Sequence, residues 1–204
     1  PRRSTRPLHI DERGKSSRRA SGSALDRTEA SRRYTLHVLL ELDAGEFPDE
    51  DEALWLEFDL LNIACGGHAG DATSMSRVLD ACKRHGIKAG AHPSYPDRAG
   101  FGRRTMALAL GTLEESLYGQ CRALQTLAVA RGISIDHAKP HGALYHDANV
   151  NRPLADVVVS GVMAALGCVA MIGPPRGALR DAATFHGMVF LGEGFADRGL
   201  RADG

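Results

Sequence analysis

Residues 60–71 read LLNIACGGHAGD, and the change of character inside this stretch decides the fold class. Its first half is almost wholly apolar, the composition of a strand covered on both faces. Its second half is a glycine-rich turn carrying His68 and Asp71 into a segment with Met75, Val78, Leu79 and Cys82 at helical spacing, closed by Gly86. Asp71 is placed to cap that helix. Gly66, Gly67 and Gly70 let the backbone approach a ligand, and the unpaired N–H groups of a helix start suit an anion.

The same grammar recurs on both sides. Strands are expected near 36–42, 59–64, 87–92, 133–138, 168–172 and 188–192. Thr112 and Glu115 form a capping-box pattern ahead of Leu113, Leu117, Cys121, Leu124 and Ala128, with Gly132 as the stop. A further helix is expected over 152–166, ending at Gly167, and another between Pro175 and His186. Alternating strands and helices with long crossovers make a parallel α/β domain. A doubly wound sheet binds at one switch point, whereas here five loops carry polar candidates, which favours a barrel.

Nearly every cluster able to do chemistry follows a strand directly. Asp43 and Glu46 come after YTLHVLLEL, and His68 and Asp71 after LLNIAC. His92 opens PSYPDRAGFGRR, which offers Tyr95, Asp97, Arg98, Arg103 and Arg104. Guanidinium groups match a carboxylate or phosphoryl group because their donors form a planar fork, although an internal Asp97 to Arg98 pair would occupy one of them. Lys139, His141 and Tyr145 follow ISIDHA, and Glu193, Asp197 and Arg198 follow MVFL. His37, His85, His137, His146 and His186 read as structural. His68 and His92 would be the ligands if a metal is used; metal-free acid and base chemistry fits the same residues. HExxH, GxSxG and GxxxxGK[ST] are all absent, so the chain shows no phosphate loop of its own for ATP.

The chain has 204 residues, is 43% hydrophobic and 25% charged, and has no formal net charge. No apolar run approaches the roughly 18 residues of a membrane span. The charge is unevenly placed: residues 1–33 hold 10 Lys and Arg against 4 Asp and Glu, leaving 15 against 21 in the rest. Without aromatic residues or helical period, that basic segment reads as a disordered extension rather than a nucleic-acid arm, a transit peptide or a signal. A single domain is expected over 34–204. Cys65, Cys82, Cys121 and Cys168 form no CxxC pair and read as buried thiols of a reducing, cytoplasmic setting. Since residue 1 is Pro, translation is expected to start elsewhere.

Four motifs in order, LNIACGGHAGD, GAHPSYPDRAGFGRR, KPHGALY and EGFADR, closely resemble the LamB/YcsF family over residues 36–204. The resemblance implies a distorted parallel β/α barrel of the glycoside hydrolase/deacetylase type, with the C-terminal part of that barrel missing after Gly204. It also implies the A component of an ATP-dependent 5-oxoprolinase, which opens 5-oxo-L-proline to L-glutamate with partner subunits B and C handling ATP and Mg. On that basis Asp43, His68, Asp71, His92, Lys139 and His141 would be catalytic. Glu46, Tyr95, Arg98, Arg103, Arg104, Tyr145, Glu193, Asp197 and Arg198 would meet the substrate. A stand-alone metal-dependent deacetylase or amidohydrolase, or a non-catalytic binding subunit, would be the alternatives. Leu39 and Glu41 depart from the family's DLNCDLGE strand, Gly67 replaces an aromatic residue and Leu200 a tyrosine.

Overall fold

The structure, a computed structural model, describes residues 38–196. The basic segment 1–33, His37, Asp197, Arg198 and Leu200 lie outside the described residues. Six strands, β1 (Glu41–Ala44), β2 (Leu60–Ala64), β3 (Lys88–His92), β4 (Ile135–Ala138), β5 (Ala170–Gly173) and β6 (Phe190–Gly192), form one sheet. Its order is β1-β2-β3-β4-β5-β6, with every neighbouring pair parallel. A doubly wound sheet reverses its strand order at a switch point; this one never does, and the strands wind on as a curled half-barrel.

The helices are α1 (Glu52–Trp55), α2 (Ala72–His85), α3 (Leu110–Arg131), α4 (Gly142–Val150), α5 (Arg152–Leu166) and α6 (Ala178–Phe185). Asp71 caps α2, accepting from the N–H groups of Thr73 and Ser74, and left-handed Gly86 ends it. Asn151 caps α5, with Pro153 in the first turn, where its missing N–H costs nothing. On α3 the expected face is buried: Leu113, Leu117, Cys121, Leu124 and Ala128 face the core. Each such leucine contributes about 1.5–3 kcal/mol of apolar burial. Every residue of β2 is buried, as its composition requires.

Three expectations need correction. The Thr112 capping box does not form: α3 begins at Leu110, and Ala109 at its cap makes no side-chain bond. The first strand lies later than expected. Val38, Leu39 and Leu40 are exposed, because the ladder with β2 begins only at Glu41 opposite Leu60. Among the cysteines, Cys65, Cys82 and Cys121 are buried and free, whereas Cys168 is exposed at the approach to β5. Short α1 and the nine-residue α4 had no clear apolar stripe to announce them.

Candidate active site

Parallel pairing brings all strand carboxyl ends to one edge, and the loops that leave them meet there. At the end of β1 a tight turn is fixed by Glu50, whose carboxylate accepts from the N–H groups of Gly45, Glu46 and Phe47 at 2.7, 2.7 and 2.9 Å. The turn drives Glu46 inward. Its Oε1 lies 2.9 Å from His68 Nε2, 3.3 Å from His141 Nδ1 and 3.8 Å from His92 Nε2. The three histidines come from the ends of β2, β3 and β4 and are all buried. His68 and His141 stack at 3.6 Å between ring centroids, and His92 meets both edge-on.

Two backbone carbonyls fix the ring tautomers. His92 Nδ1 donates to the Lys139 carbonyl at 2.7 Å, and His141 Nε2 donates to the Phe101 carbonyl at 2.9 Å. The other two nitrogens, His92 Nε2 and His141 Nδ1, then face each other at 2.9 Å. Burial disfavours charge on His92, but Asp43, with Oδ2 at 3.3 Å, outweighs it and raises the ring's pKa. Burial, with His92 and His68 nearby, pushes His141 down to about 4. His68 is lowered as well, chiefly by burial. Burial would lift Asp43, yet His92, Lys139 and a 2.9 Å bond from Asn62 Nδ2 hold it far below the usual carboxylate range.

Beside the histidines sits a second cluster. Lys139 Nζ lies 2.7 Å from Glu41, 2.9 Å from Glu193 and 3.4 Å from Asp43. Burial penalises its charge, but the three carboxylates together raise its pKa. Glu41 behaves oppositely to an ordinary ion-paired acid. Burial and a bond with Glu193 outweigh Lys139 and raise it to about 7, so Glu41 and Glu193 compete for one counter-charge. Tyr145, beside Glu193, is pushed upward by burial and that neighbour.

The loop from residue 93 to 104 covers the histidines. Phe101 adopts a left-handed backbone, uncommon for a residue with a side chain, and its ring packs edge-on to His68 and His141. Gly102 is also left-handed, and a Cβ there would stand 2.9 Å from that of His68 and 3.0 Å from His141 Cδ2. Only glycine lets the loop close over the rings.

Three of the residues expected to bind substrate, Tyr95, Arg98 and Arg104, instead build this frame, and so does Asp71, expected to be catalytic. Arg98 donates to the carbonyls of Gly66 and Gly70, not to Asp97. Asp97 takes Arg104, at 2.6 and 3.0 Å. Tyr95 is buried and donates to Asp147. Asp71 is exposed and its Oδ1 is spent on the α2 cap. Arg103 is exposed and lies over the Phe101 ring. His137 is buried and bonds Asn62 at 2.9 Å, the structural part expected of it.

Sequence reasoning missed Asn62, Gln120, Glu50 and the weight of Glu41. Two had a visible signal, since Asn62 is the one polar residue of an apolar strand and Gln120 lies on α3's buried side. A cleft of about 240 Å³ borders the site through Glu46, Phe47 and Arg98. A larger one, about 450 Å³, opens at the strands' amino ends around Leu39, Phe58 and Lys88. Size does not favour it, because none of the convergent ionisable groups lines it.

The model of the LamB/YcsF family matches residues 42–204. The chain is 41% identical over 174 residues to the 5-oxoprolinase A subunit of Chloroflexus aggregans, covering 83% of this chain and 69% of that protein. It is 41% identical over 173 residues to the protein of the same name from Carboxydothermus hydrogenoformans, covering 82% and 68%. The solved structure of a lactam utilization protein from Thermus thermophilus superposes with a TM-score of 0.77 at 32% identity, over 82% of this chain and 70% of that one. Motifs, strand order and these likenesses agree: the chain belongs to the LamB/YcsF family.

Proposed function

We propose that the chain is the A component of an ATP-dependent 5-oxoprolinase, opening the lactam of 5-oxo-L-proline to L-glutamate together with partner subunits B and C. The observation that carries this reading is Asp43 set against His92 at 3.3 Å, at the mouth of a histidine cluster, in a chain related to proteins bearing that name. A lactam carbonyl is a poor electrophile and glutamate recloses readily, so coupling to ATP both activates the carbonyl and drives the opening. With no phosphate loop in this sequence, ATP and its Mg fall to the partners, and phosphorylation of the carbonyl oxygen is the activation expected of them. No helix among the described residues is long and apolar enough to cross a membrane. Three buried free thiols suit the reducing cytoplasm.

In this mechanism Asp43 aligns a water on the lactam carbon, one oxygen fixed by Asn62 and the other beside His92. Water oxygen bonds to that carbon, its proton passes to the histidine cluster, and the carbon–nitrogen bond breaks as a proton is returned to the leaving nitrogen. A second water releases phosphate. Lys139 acts as a positioning residue, since three carboxylates already surround it. Arg98 and Arg104 of the covering loop are held by backbone carbonyls and by Asp97, which leaves exposed Arg103 to meet the substrate's carboxylate or phosphoryl group.

Glutamate release from 5-oxo-L-proline tests this, with and without ATP and the two partners. Release that needs every component is expected. Full activity of His68→Ala in the assembled enzyme, or no release from a folded complex, would overturn the proposal.

A further inference from the structure

The tautomers leave an unbalanced charge at the centre of the site. With His92 Nδ1 and His141 Nε2 both donating to carbonyls, neutral rings turn two bare lone pairs toward each other at 2.9 Å. Glu46 Oε1 adds a carboxylate oxygen at 3.3 Å from one and 3.8 Å from the other. Three electron-rich atoms converging in a buried space need a cation between them. His68 joins them through Nε2, 2.9 Å from Glu46, while its buried Nδ1 has no partner.

We propose that Glu46, His68, His92 and His141 form a binding site for one divalent first-row transition metal ion, with Zn²⁺ the best match. The four donor atoms lie within 4.8 Å of one another. Tetrahedral ligands about 2.0–2.1 Å from zinc are spaced ~3.3 Å apart, and four of the six separations, 2.9, 2.9, 3.3 and 3.8 Å, straddle that value. Imidazole and carboxylate together favour zinc, iron or nickel over Mg²⁺ or Ca²⁺. The outer shell fits equally well: metal-bound histidines characteristically donate their second N–H to a backbone carbonyl, as His92 and His141 do here. Asp43 stays outside the ligand set, tied to Asn62 and Lys139. Bound there, the ion would supply a Lewis acid and a water of lowered pKa. The site stands on its own residues and does not depend on the lactam being the substrate.

The test uses the untagged, full-length chain stripped with chelator, then given Zn²⁺ or Co²⁺ alone, with no lactam, ATP or partner. One metal ion per chain should survive dialysis, and Co²⁺ should give the visible absorption of a low-coordinate nitrogen and oxygen site. Glu46→Gln, nearly isosteric, and His68→Ala should each weaken metal binding by roughly tenfold or more. His146→Ala, an exposed histidine outside the cluster, should leave it unchanged. Far-ultraviolet circular dichroism and the unfolding midpoint establish that each variant is folded. If the folded parent retains no metal, a proton shared between His92 and His141 fills the gap and the proposal fails. Metal retained equally by Glu46→Gln and His68→Ala overturns it as well, since the ion then sits elsewhere.

Discussion

Gly67 shows how a departure from the family pattern is accommodated locally. A Cβ added there would stand 2.3 Å from Ser94 Oγ and 2.4 Å from Gln120 Oε1. The space that an aromatic residue would need is filled by Gln120, which accepts from Ser94 N at 3.0 Å and donates to Ser94 O at 2.9 Å. Gly67→Phe should therefore lower stability by about 3 kcal/mol through overpacking, measured by urea unfolding. Restoring space with Gln120→Ala in the same chain should recover part of that loss; independent effects of the two changes would refute the coupling. The histidines beside this packing were legible as a group because each follows a strand. Their tautomers were not, because carbonyls of Phe101 and Lys139 set them, and backbone direction is invisible in a list of residue types.

Elements divide by whether their signals are local. Helix α2 is defined by Asp71 and Gly86, both readable from spacing and both found at its ends. Asp71→Ala should lower the unfolding midpoint, and Asp71→Asn should restore it, since asparagine caps as well as aspartate. Activity that fell with both variants alike would show that the carboxylate does more than cap. The Thr112 pattern failed on α3 because the helix starts two residues before it, at exposed Leu110, with no side-chain bond at its cap. Tertiary contact decides where α3 crosses α5. A Cβ on Gly161 would lie 3.2 Å from the Glu114 carbonyl oxygen and 3.2 Å from Leu117 Cβ. Gly161→Val should force the helices apart at a cost of about 2 kcal/mol, seen as a lowered denaturation midpoint with the denaturant slope unchanged.

At the scale of the whole molecule, the curl of the sheet is recorded in one ion cluster. β1 and β6 are the two edges of the strand order, yet Glu41 of β1 and Glu193 just beyond β6 both reach Lys139, at the end of β4. A flat sheet would hold those edges far apart. No sequence pattern foretold this, since the three residues lie as many as 152 positions apart and meet only once the sheet has bent. Lys139→Met would strand the carboxylates without a counter-charge and should cost about 3 kcal/mol. The pH dependence has a definite sign. Glu41 titrates near 7 in the folded chain against an ordinary value of 4.5, so the folded state holds the extra proton. Its contribution to stability is full below pH 4.5, declines as pH rises through that window and levels off above 7. Glu41→Gln, which fixes the neutral form, should match the parent at pH 4 and become more stable than it by on the order of 3 kcal/mol at pH 8. Comparing urea unfolding at the two pH values isolates this group from the histidines, which titrate alike in both proteins. A stability difference that stayed constant between them would mean that Lys139 keeps Glu41 ionised throughout, and that burial does not govern the cluster joining the sheet's edges.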